Sequence, residues 1–412
     1  MTRPSRPRAL AAVVTATAFA LLPAVPAQAD AIRAQEWGRQ ALHTDEAWRT
    51  TKGEGITVAV LDTGVDGSHP DLEGQVLSGK DFIGFGATRG DASWALHGTA
   101  MAGIIAGHGH GPDRGDGVLG VAPEAKILPG RVILESTDPS RGKARESRGT
   151  ALADGIRWAT DQGADVINLS LGDDSKSAHP DPSEDSAVQY ALGKGVSVVA
   201  SAGNSGDKGD RPSYPAAYPG VIAVTAVDRY GTHASFSTRR WYATVSAPGV
   251  DIVVANPDQH YYMEWGTSAA AAFVSGAVAL VRAAHPGLSP AQIKKLLADT
   301  ARDAPEGGRD DARGHGTADP AAAIEAGAEL RPEGAAEKPS RSGYRGQYFG
   351  PGPAPARDDD GPAAWLAPAA GGAGVVLLAV AVVLWRTRTT SGTGPGAPAT
   401  PGTGLPGFPG RR

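Results

Sequence analysis

Short apolar runs alternate with longer stretches of helical period along most of this chain. Four of the runs, residues 56–61, 166–169, 196–200 and 221–227, are rich in β-branched side chains and bounded by Gly, Asp or Asn, and each predicts a buried strand. The spacing of apolar positions predicts helices over about 98–106, 150–162, 186–192, 268–284 and 290–299. The last of these has a defined start, with Ser289 as N-cap, Pro290 in the first turn and Gln292 three residues beyond the cap. Strands separated by helices predict an α/β fold whose mostly parallel sheet is covered on both faces. In such sheets reacting groups collect at the carboxyl ends of the strands, and Asp62 stands at that end of the first one.

The two ends of the chain follow other patterns. Arg3, Arg6 and Arg8, an apolar stretch over 9–25 and the small-residue site Ala27-Gln28-Ala29 make residues 1–29 a secretory signal peptide. Residues 363–385 are 23 positions without a charge. As a helix they would extend roughly 35 Å, enough to cross a bilayer. Trp365 and Trp385 would sit near the two interfaces, with Arg386 and Arg388 following and Asp358, Asp359 and Asp360 preceding. The chain therefore reads as a signal peptide, an N-terminal extension over 30–54, a globular domain over 55–330, a Pro/Gly-rich linker over 331–362, a transmembrane helix over 363–385 and a disordered tail over 386–412. The signal peptide puts the domain outside the cell membrane and the tail in the cytoplasm.

Composition narrows the picture. With 412 residues, 41% of them hydrophobic, a sizeable core can form. A net charge of -5 without a long basic run excludes nucleic acid as the main partner. The chain has no cysteine, so an exported domain is held by burial without disulfides.

Candidate chemistry begins at Asp62-Thr63-Gly64. Asp-Thr-Gly serves proteases in which two aspartates share a proton, and others in which one aspartate orients a histidine. Asp62 heads the only such tripeptide, and its α/β surroundings disfavour the paired arrangement. A serine nucleophile needs a histidine to take its proton and a carboxylate to hold the imidazole. His97 opens "HGTAMAGIIAG", in which Gly98, Ala102 and Gly103 would let a helix pack closely. Ser268, in "GTSAAAAFVSG", stands at the start of a long apolar helix, where free N–H groups favour a developing oxyanion. Among the other histidines, His69, His108 and His110 read as packed or solvated residues. His108 and His110 have a metal-like His-x-His spacing without a clear third ligand.

Taken together, Asp62 in "VAVLDTGVD", His97 and Ser268 resemble the subtilisin-like serine proteases, whose catalytic groups follow the same order. The resemblance implies a subtilisin-like three-layer α/β/α fold and a catalytic triad of Asp62, His97 and Ser268. It also implies that Asn204 in "VVASAGNSG" is the side-chain donor of the oxyanion hole. By the same resemblance, Ser170, Leu171 and Gly172 of "NLSLG" and Ala200, Ser201, Ala202 and Gly203 of "ASAG" flank the substrate, the first segment pairing with an extended peptide. Ala269 and Ala272 depart from the family, where Met or Phe and then Pro are common. No cofactor is required, and calcium, which supports many relatives, finds no clear ligand set. The combination of signal peptide, protease domain, linker and single span is similar to the mycosins. That implies a protein or peptide substrate and a place beside a type VII secretion membrane complex. The rival reading is a protease-like scaffold stabilising such a complex, with catalysis secondary.

Overall fold

The computed structural model describes residues 31–332. The signal peptide, the linker beyond residue 332, the transmembrane helix and the tail all lie outside the described residues.

Eleven strands are described: β1 (Thr57–Asp62), β2 (Lys80–Asp81), β3 (His108–His110), β4 (Asp116–Leu119), β5 (Lys126–Arg131), β6 (Val166–Leu169), β7 (Ser197–Ser201), β8 (Ile222–Val227), β9 (Ala243–Pro248), β10 (Ile252–Ala255) and β11 (Tyr261–Glu264). Seven form one sheet in the order β2-β5-β1-β6-β7-β8-β9, and every pairing in it is parallel. The remaining four make two antiparallel hairpins, β3 with β4 and β10 with β11. Val58 of β1 is opposite Ile127 of β5 on one side and Val166 of β6 on the other. The chain thus adds strands on both sides of β1, and the direction of winding reverses there, the place where ligands bind in sheets of this kind.

Nine helices surround the sheet: α1 (Trp37–Ala41), α2 (Thr44–Ala47), α3 (Leu96–Ala106), α4 (Arg141–Ser147), α5 (Ala151–Asp161), α6 (Pro182–Gly193), α7 (Thr267–Ala284), α8 (Pro290–Asp299) and α9 (Pro320–Gly327), counted among the described residues. Side chains alternate along β1. Val58 and Val60 join a core with Met101, Ile105, Val278 and Leu297, whereas Ala59 and Leu61 join a second core with Ile156 and Val188 on the opposite face. Helices on both faces explain why the central strands read as continuous apolar runs. α7 is long and apolar enough to cross a membrane by composition, but 83% of it is buried inside the domain, where it serves as the central core helix. It runs unbroken through Ala269 and Ala272, both fully buried.

Some elements differ from the sequence expectation. α6 begins at Pro182 instead of residue 186, because the Asp181 carboxylate accepts hydrogen bonds from the N–H groups of Ser183 and Glu184 and caps an earlier turn. β5 carries Pro129 in its interior, which disguised it. The Ile127 N–H donates to the Gln75 carbonyl, so Pro129, two residues on, turns its missing donor toward the same sparsely paired edge. The segment before β1 packs as part of the domain: Leu42 and Ala47 enter the first core, and the Trp48 indole donates to the Val121 carbonyl at 2.8 Å.

Candidate active site

Asp62 is the last residue of β1 and is fully buried. Its Oδ1 accepts the Thr63 N–H at 2.7 Å. Thr63 Oγ1 in turn accepts the Gly98 N–H at 3.1 Å, which fixes the start of α3 against the turn after β1. Only glycine fits at 98, since a Cβ there would overlap the Gly64 carbonyl oxygen. His97 is consequently held beside Asp62, with Nδ1 2.9 Å from both carboxylate oxygens. Its backbone N–H donates to Glu135 Oε1 at 2.9 Å, and its Nε2 lies 3.8 Å from Glu264 Oε1. The imidazole is 23% exposed. Burial disfavours its charged form, but Asp62, by charge and by hydrogen bond, outweighs burial, and Glu264 and Glu135 add to it. The pKa of His97 is raised above the usual histidine range.

Ser268 is the second residue of α7, where a backbone N–H has no partner within its own helix. Its Oγ donates to the Ser170 carbonyl at 3.1 Å, and Ser170 Oγ donates to the Ser268 carbonyl at 2.8 Å. Asn168 Nδ2 donates to Ser170 Oγ at 3.0 Å, and Ser275 Oγ donates to Asn168 Oδ1 at 2.9 Å. This buried polar network ties the end of β6 to the first turns of α7.

Asn204 follows β7. Its Oδ1 accepts both the backbone N–H and the hydroxyl of Thr267, each at 3.0 Å, which leaves Nδ2 as the donor end of the amide. Its own N–H donates to Asp174 Oδ2 at 2.9 Å. The other residues singled out by sequence lie at two neighbouring strand ends, joined through the Leu169–Ala200 pair. Ser170, Leu171 and Gly172 leave β6, while Ala200 and Ser201 end β7 and Ala202 and Gly203 follow it. Ala200 and Ala202 are fully buried in the second core, so what they bring to a groove is backbone and backing. Gly203 has φ +107°, a conformation that favours glycine.

Residues 53–316 match the subtilase family, peptidase S8. The chain belongs to that family. It is similar to the thermophilic serine proteinase of Bacillus sp. (strain AK1), 40% identical over 65% of this chain and 61% of that protein. The subtilase chain therefore spans less than two thirds of that relative's length. Among solved structures it is similar to MycP1 from Mycobacterium smegmatis, 30% identical with a TM-score of 0.62, covering 76% of this chain and 88% of the other. It is also similar to the MycP3 protease from the type VII (ESX-3) secretion system, 32% identical with a TM-score of 0.57, covering 70% and 88%.

Several residues around this subtilase site escaped the sequence reading. Thr63 and Thr99 lock the loop after β1 to α3, Thr99 Oγ1 accepting the Asp66 N–H at 2.9 Å. The threonines of "DTG" and "HGT" were the available signal. Glu135 and Glu264 carried none, because only the fold brings them to His97. His108 and His110 turn to separate partners, His108 to the Glu73 carbonyl and His110 to Asp71. Among the described residues no group of three His, Asp or Glu side chains is arranged to hold a metal ion.

Proposed function

We propose that this subtilase is a membrane-anchored, extracytoplasmic serine endopeptidase that cleaves peptide bonds through Asp62, His97 and Ser268. The observation carrying this reading is the contact of His97 Nδ1 with both Asp62 oxygens at 2.9 Å, in a subtilase domain whose Ser268 is the second residue of α7. A carboxylate at Nδ1 fixes the tautomer with Nε2 free to accept a proton and stabilises the imidazolium that results.

His97 Nε2 takes the Ser268 hydroxyl proton as Oγ attacks the scissile carbonyl carbon. The oxyanion is stabilised by Asn204 Nδ2 and the Ser268 backbone N–H, assisted by the positive end of the α7 dipole. When the tetrahedral intermediate collapses, the C–N bond breaks and His97 gives its proton to the departing amine. Water, activated by the same imidazole, then attacks the acyl-enzyme and releases the acid and free Ser268. An extended substrate would lie along residues 170–172 as an added strand, with 200–203 backing its side chain.

Membrane anchoring rests on the signal peptide and the span at 363–385 in the sequence. Association with type VII secretion rests on similarity to proteins such as MycP3, described as coming from such a system. Incubation of the purified chain with an unfolded protein substrate, with fragments read by mass spectrometry, tests the activity. Cleavage that disappears in Ser268→Ala is expected. In a deletion strain, secretion restored by Ser268→Ala would instead favour the scaffold role.

A further inference from the structure

The β10–β11 hairpin carries an acid that the mechanism above does not use. Ala255 of β10 lies against α3, its Cβ 3.2 Å from where a Cβ on Gly103 would stand, so the hairpin is seated on the helix that bears His97. In the hairpin register Glu264 pairs with Ile252. From there its carboxylate reaches to 3.8 Å from His97 Nε2, the nitrogen that must accept and return the proton. This is ion-pair distance, longer than a good hydrogen bond. Ser268 Oγ meanwhile donates to the Ser170 carbonyl.

Resting on the serine-peptidase reading, we propose that Glu264 is a positioning residue for His97: it caps the Nε2 edge of the imidazole and holds the protonated form in the resting site. The groups facing His97 agree in sign. Asp62 from β1, Glu135 from the loop after β5 and Glu264 from β11 are all carboxylates, and Arg141 from α4 is the cation set against Glu135 and Asp62. Asp62 holds Nδ1 and Glu135 the backbone, so Glu264 alone of these acids addresses Nε2. At 29% side-chain exposure, Glu264 is partly screened by water. Burial raises its own pKa and His97 opposes that rise, so its hold is lost as the carboxyl is protonated. Nothing in this arrangement requires Glu264 to touch substrate. It adds to the larger effect of Asp62 and so raises the pH at which His97 becomes a free base.

The test is the pH dependence of the rate at which a fluorophosphonate phosphonylates Ser268, a P–O bond forming as fluoride leaves, read by intact mass on the full chain. Wild type, Glu264→Gln and Glu264→Asp are compared. Gln keeps the shape of the side chain and removes the charge. We expect the midpoint of the rising limb to move to lower pH by about one unit in Glu264→Gln, the size of a partly screened unit charge at this distance. Glu264→Asp should return it toward wild type. Profiles of wild type and Glu264→Gln that superimpose overturn the proposal, as does an equal shift in both variants. Absence of labelling in wild type at every pH is a different result, because it rejects the serine-peptidase reading on which the proposal rests.

Discussion

His97 Nδ1 is 2.9 Å from each oxygen of Asp62, although 35 positions of sequence separate the two residues. A neutral amide at 62 would still hydrogen-bond to the ring but would no longer favour the productive tautomer or balance the imidazolium. Asp62→Asn should therefore lower kcat by about 10⁴-fold with the fold intact. Steady-state kinetics beside a thermal melt checks it, and a variant of near-normal kcat would remove Asp62 from the mechanism.

The Asn204 amide is fixed at its oxygen by Thr267, so replacing it by Ala removes the Nδ2 donor together with the acceptor of the Thr267 N–H and hydroxyl. A loss of about 10²- to 10³-fold in kcat is expected, the effect of removing the equivalent donor in subtilisin, with KM changed much less. A rise in KM at constant kcat would mean that Asn204 binds the ground state only.

Gly98→Ala tests whether His97 depends on the close approach of α3 to the turn after β1. The new Cβ collides with the Gly64 carbonyl, so α3 must shift. A destabilisation of about 1–3 kcal/mol is expected, together with a loss of activity larger than the loss of folded protein. Urea unfolding and specific activity on the same sample separate the two.

Glu36 gives the domain a pH dependence remote from the site. Burial lifts its carboxyl to about 7, against the hydrogen bond from the Leu119 N–H and the pull of Arg33 and Arg39. One of its buried oxygens, Oε2, has no hydrogen-bond partner. The folded state binds the proton more tightly than the unfolded one, so this contribution is fully present below about pH 4.5 and is lost as pH rises through about 7. Glu36→Gln, which is neutral throughout, should be more stable than wild type at pH 8 by about 3 kcal/mol, and the difference should shrink toward pH 4.5. Denaturant melts at the two values check it.

How much of this was visible beforehand depended on whether the signal was local. β1, β6, β7 and β8 were legible because both faces of a central parallel strand are buried and the run is apolar throughout. β5 was hidden by Pro129 and Gly130, and β9, "ATVSAP", by small polar residues that are buried all the same. Ser289 and Gln292 form the full capping box expected, because a cap is settled within four residues. Asp62, His97 and Ser268 stood out for a similar reason, each lying in a short distinctive stretch at the end of a strand or the start of a helix, whereas Asn204 was marked only by the family resemblance. Glu135 and Glu264 did not, since their relation to His97 exists only after β5 is threaded into the sheet and the β10–β11 hairpin is laid on α3.

The peptidase mechanism stands or falls on Ser268 being an activated nucleophile. Intact-mass analysis of the full chain after treatment with a fluorophosphonate, beside a Ser268→Ala control, tests it most directly. A single adduct on the wild-type chain that is missing from Ser268→Ala is the predicted result. A folded wild-type chain that takes up no adduct, or one labelled equally in the control, would contradict it.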